Sequence, residues 1–106
     1  MLVAFSISPS AAADDSGSVS EAVAAAVRVV RDSGLPWELT SMFTTIEGEW
    51  DEVMAVVKQA VDAVAAASPR VGLVLKADIR PGFSGQLTAK VDRVHQVLDR
   101  PDAQEA

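Results

Sequence analysis

The chain has 106 residues, enough for one domain with a modest core. Its formal charge of −6 argues against nucleic acid and anionic membrane surfaces as partners, since both are recruited by basic patches. It has no cysteine and a single histidine, His95, which excludes disulfides, thiolate chemistry and an unaided histidine zinc site.

Met1 to Ile7 already reads as a strand, with no basic n-region or long apolar stretch before it. No signal peptide is therefore expected, and the cytoplasm is the expected compartment. From Leu2 to Ser8, Val3, Phe5 and Ile7 point one way and Ala4, Ser6 and Ser8 the other; Pro9 stops the strand. Ser10 to Gly17 is a polar loop. Ser18 and Glu21 have capping-box spacing, and Val19, Val23, Ala26, Val27 and Val30 recur at helical spacing until Gly34 and Pro36. Pro36–Thr40 and Thr44–Gly48 read as a hairpin around Ser41-Met42-Phe43.

Glu49, Asp51 and Glu52 place carboxylates at the start of the next helix, where the macrodipole favours them. Trp50, Val53, Met54, Val57, Val61 and Val64 form its apolar stripe, which assigns Trp50 to the core, and Ser68-Pro69 ends it. Val71 to Ile79 is a long strand. Its odd-numbered residues face one side; Lys76, Asp78 and Arg80 share the other, with Asp78 placed to hold Lys76 or Arg80 in an ion-pair ladder. Pro81-Gly82 breaks it. A last helix carries Leu87, Val91, Val94 and Leu98, with His95 beside the stripe and partly exposed. Residues 1–99 make one domain, and 100–106 a polar tail expected to be flexible.

The order strand, helix, strand, strand, helix, strand is a split βαβ unit. The expected fold is therefore an α+β ferredoxin-like βαββαβ sandwich with an extra C-terminal helix. Both long helices cover one face of the sheet. The other face carries Ser6, Ser8, Glu38, Thr40, Thr45, Glu47, Lys76, Asp78 and Arg80, a mixed polar surface suited to a ligand or a second subunit.

The stretch Ile46-Glu47-Gly48-Glu49-Trp50-Asp51-Glu52-Val53-Met54 is distinctive. With Glu38-Leu39-Thr40, Lys76-Ala77-Asp78-Ile79-Arg80, Ser18-Val19-Ser20 and Ser33-Gly34-Leu35, it resembles the thiamine-binding protein family, from Met1 to about Val97. The resemblance implies a ferredoxin-like fold and assembly through the sheets into dimers or tetramers. It also implies binding of thiamine or its hydroxymethylpyrimidine part, with no catalysis. One departure is that Ser41-Met42-Phe43 stands where the family usually has Pro-Met-Gly, so Phe43 is expected to alter the turn or narrow a nearby pocket.

Glu47 leads the candidate ligand contacts, because a carboxylate can accept from an amino group or pair with a cation; the bland alternative is that it binds a helix end. Thr45, Thr40, Ser6 and Ser8 are candidate hydroxyl contacts, against β-propensity and a solvated face. Asp78 and Arg80 are candidates at the site or a subunit interface, Arg80 also for a phosphate on the ligand. No catalytic residue, metal ligand or cofactor is expected, thiamine entering only as ligand. The leading function is non-catalytic binding of a small cationic ligand by a homo-oligomer. The alternatives are a structural or regulatory oligomerisation module and, ranked last, a small phosphatase-like enzyme. The chain contains no Asn, and the Pro9–Gly17 loop lacks an Arg to cradle phosphate.

Overall fold

Alternation along the first strand decides where the core lies. The computed structural model describes residues 1–9 and 19–101. Strand β1 spans Leu2–Pro9, and Val3, Phe5 and Ile7 are buried on one of its faces. Helix α1 spans Ser20–Asp32, with Val19 in the N-cap position; Ser18, the expected cap, and the Ser10–Gly17 loop lie outside the described residues. The hairpin strands are β2, Trp37–Leu39, and β3, Thr44–Glu47. Helix α2 spans Trp50–Ala65, β4 spans Val71–Asp78, and α3 spans Gln86–Leu98.

The four strands form one antiparallel sheet in the order β2-β3-β1-β4, as a split βαβ requires. The register pairs Val3 with Ile46 and Ala77, and Phe5 with Thr44 and Leu75, so these residues share the helix-facing side. There Val3, Phe5, Ile7 and Ile46 meet Ala26 and Val30 of α1 and Val53, Val56, Val57, Ala60 and Val64 of α2. Beta-branched valines suit the sheet but bury little area each, so a core of this make-up depends on interdigitation.

The hairpin turn needs no glycine. The Thr40 N–H donates to the Phe43 carbonyl at 2.9 Å, and the Thr40 hydroxyl donates to the same carbonyl at 2.9 Å. The Phe43 N–H donates back to that hydroxyl at 3.3 Å. Among the described residues positive φ occurs only at Gly34, Gly82 and Gly85, so Phe43 occupies its turn without left-handed strain.

Two expectations are corrected here. Trp50 is not in the core: it is the first residue of α2 and is 54% exposed, while Val53 in the same turn is fully buried, so the first turn presents Val53 and not Trp50 to the core. The core-facing side of α2 turns instead toward Val56 and Ala60. Helix α3 contributes no buried residue at all. It leaves Val91, Val94, Val97 and Leu98 exposed, and the molecule extends 58 Å along its longest axis.

Candidate ligand site

The site begins with a helix that cannot cap itself. The N-cap residue of α3 is Gly85, left-handed at φ 68° and without a side chain to take up the orphan N–H groups of the first turn. Glu47, at the end of β3, supplies the acceptor across the open face of the sheet. Its carboxylate accepts the Gln86 N–H at 2.8 Å and the Leu87 N–H at 3.3 Å, from 39 and 40 residues away in sequence. A negative charge at a helix N-terminus is favoured by the macrodipole as well as by these bonds. Glu47 is consequently only 6% exposed although it lies on the face opposite the core. No Lys or Arg forms an ion pair with it among the described residues.

One turn into α3, the Lys90 ammonium donates to Asp78 at 2.6 Å, tying the helix to the end of β4. The expected ladder within β4 is thus replaced by a bridge to α3, because β4 ends at Asp78 and Arg80 has left the strand. The hydrogen bond from Lys90, then its charge, hold the Asp78 carboxyl below the usual carboxylate range, with smaller contributions from Arg80 and Lys76.

Arg80-Pro81-Gly82-Phe83 is a tight turn closed by the Phe83 N–H donating to the Arg80 carbonyl at 3.2 Å. Proline second and a glycine of φ 81° third are the requirements of a type II turn. That turn places its first and fourth side chains together, and the Arg80 guanidinium sits 3.5 Å from the centre of the Phe83 ring.

These elements enclose a hollow of about 190 Å³ lined by Met1, Leu2, Glu47, Asp78, Arg80, Phe83, Gln86 and Lys90. Three of the residues singled out from sequence, Glu47, Asp78 and Arg80, meet there. Thr45 lies on the same face, two residues from Glu47 and paired with Ala4 and Glu38, but does not line the hollow. Ser6 and Ser8, paired with Val74 and Gly72, lie about 13 and 20 Å along the strand from Leu2. Thr40 closes the hairpin at the opposite end of β3 from Glu47, and its hydroxyl is occupied by Phe43. Phe43 itself is not among the lining residues. Phe83, Gln86 and Lys90 were not singled out from sequence. The turn signal Pro81-Gly82 located their loop, but nothing local shows that it folds back toward β3.

The string around Glu47 has separate structural duties. Glu49 and Glu52 form a reciprocal capping box, in which the Glu49 N–H donates to the Glu52 carboxylate at 3.1 Å. A Cβ on Gly48 would stand 3.2 Å from Val53 Cγ2 and 3.3 Å from Leu35 Cδ2, so the chain turns there in close packing. Among the described residues no group of three or more His, Asp or Glu could hold a metal ion, and no helix is long and apolar enough to cross a membrane.

Comparison with known proteins agrees with this architecture. A UPF0045 protein of Mycobacterium bovis is 52% identical over 103 residues, covering 96% of this chain and 98% of that one. A UPF0045 protein of Methanothermobacter thermautotrophicus is 40% identical over 85 residues, covering 78% and 86%. Among solved structures, the DUF77 domain from Bacillus cereus superposes with a TM-score of 0.74 at 34% identity, over 85% of each chain. A candidate thiamine biosynthesis/salvage protein of Thermotoga maritima superposes with a TM-score of 0.71 over 87% of this chain and 97% of its own, and at 24% identity it speaks for the fold alone. The family model described as "Thiamine-binding protein" matches residues 3–95, and the chain belongs to that family.

Proposed function

We propose that this protein binds a small cationic ligand of the thiamine type, performs no chemistry on it, and does so as a homo-oligomer. The observation that carries the reading is Glu47, a carboxylate that is 6% exposed, has no cationic partner among the described residues and lines a hollow. Two backbone N–H groups stabilise it, and a carboxylate has acceptor capacity beyond two bonds. A desolvated carboxylate of this kind favours a cation far more than an exposed one does. Family membership supplies the ligand class.

The test is calorimetric titration of the purified protein with thiamine, repeated on Glu47→Gln. Wild-type protein is expected to bind, and the variant to bind more weakly by roughly 1–3 kcal/mol, the usual cost of losing a charged hydrogen-bond partner. Absence of heat with millimolar thiamine overturns the reading.

A further inference from the structure

We propose that a groove between α1 and the edge strand β2 is a second binding site, for an elongated amphipathic monoanion: an aliphatic chain ending in a carboxylate. It shares no lining residue with the Glu47 hollow and stands independently of the reading above.

The groove exists because two helices cover the core side of four strands, and β2 lies at the edge. Ala26 and Val30 turn α1 toward the core. Trp37 and Leu39, opposite Ile46 and Thr44 in the register, project to the same side of the sheet. Helix α1 covers them incompletely: Trp37 is half-buried and Leu39 is 53% exposed. The space between helix and strand has a volume of about 530 Å³, within the ~300–1,000 Å³ of small-molecule sites.

Two rows of α1 side chains wall this space, and both end in arginine. Val19, Val23 and Val27 recur every fourth residue and Arg31 continues the row; beside them Ala24 leads to Arg28. From Val19 to Arg31 the helix rises about 18 Å. The result is a long trough with an apolar end and a cationic end. Strands β1 and β2 are both antiparallel to β3, so α1, which joins them, runs opposite to β2. Leu39 therefore stands beside the valine end and Trp37 beside the arginine end. No carboxylate lines the trough, although the chain carries a formal charge of −6.

The charges set the head group. Arg31 Nε donates to Asp32 at 3.0 Å. Arg28 forms no ion pair among the described residues. Two guanidiniums and one carboxylate leave a single positive charge, which one carboxylate on a ligand balances. The helix dipole accounts for a cation such as Arg31 in the last turn, but not for Arg28, which stands a turn before the helix end. Helical side chains lean toward the N-terminus, which brings both guanidiniums back over the trough.

The test titrates decanoate, octanoate and decyltrimethylammonium into protein carrying Trp50→Phe, which leaves Trp37 as the single tryptophan. Decanoate should shift Trp37 emission to the blue, saturably and at one molecule per chain. Octanoate should bind on the order of tenfold more weakly, since it buries two methylenes fewer. The cationic decyl probe should not bind. Arg28→Gln, an exposed change, should weaken decanoate about tenfold through loss of a charged hydrogen bond. The site is overturned if millimolar decanoate gives no saturable shift, if Arg28→Gln binds it as well as the parent, or if the cationic probe matches it. It is overturned too if Leu39→Arg lowers the assembly mass while decanoate leaves Trp37 unmoved, because a second copy then covers the groove.

Discussion

At the residue scale, Asp78 shows how one ion pair makes a strand end and a helix interdependent. The Lys90 hydrogen bond and charge depress its carboxyl in the folded state. A depressed carboxyl contributes stability that is present above the unfolded value, near 3.9, and is lost as pH falls through the lower folded value. The link between β4 and α3 should therefore be intact at neutral pH and loosen only on acidification below about pH 4. Because both side chains are about half exposed, its contribution is small and falls with salt. An NMR titration of the Asp78 carboxyl checks this. A midpoint below the ordinary aspartate value that returns toward it in Lys90→Ala is expected, and an ordinary midpoint in the wild type defeats the argument.

At the element scale, the side-chain bonds that tie α3 to the sheet among the described residues all fall in its first two turns. Glu47 takes two N–H groups at its start, Lys90 reaches Asp78 one turn later, and the residues beyond are exposed. Glu47→Gln exchanges a charged acceptor pair for one neutral carbonyl at nearly unchanged volume, at a cost of about 1 kcal/mol to the helix start. Amide exchange at Gln86, Leu87 and the following turn should quicken in this variant, with the α1 and α2 amides unmoved. Equal rates in α3 would show that Glu47 does not hold it. This same contact marks where legibility in the sequence ends. Strand alternation correctly gave the face of Val3, Phe5 and Ile7, the polar face of Glu47 and Asp78, and the helix order, because periodicity of two or 3.6 is a local property. It also gave α3 a stripe, Leu87 to Leu98, but no partner for it. That Glu47 caps a helix 39 residues away has no local signal, since the helix end it serves begins with a glycine. Trp50 misled because its spacing fits the stripe of α2, yet the buried side of the helix is centred on Val53, Val56, Val57 and Ala60 and leaves Trp50 at its margin.

At the scale of the molecule, the chain leaves many large apolar side chains open to solvent. Its radius of gyration is 16.9 Å against the ~13 Å expected for about 100 residues. Val91, Val94, Val97 and Leu98 are exposed on that helix, and Leu73, Val74 and Leu75 on β4, a strand whose outer edge pairs with nothing among the described residues. Val74 projects from the same open face as Ser6 and Ser8, remote from Glu47. The oligomer proposed above would draw on this surface, since isologous pairing closes on itself and an unpaired strand edge is a ready template for a second copy. Light scattering at micromolar concentration should then give a multiple of the 11.1 kDa chain mass. Val74→Lys combined with Val94→Asp should lower that mass while far-UV circular dichroism stays native, since neither side chain contributes to the core. A wild-type mass of one chain would remove the oligomer and leave the Glu47 hollow to be judged by ligand binding alone.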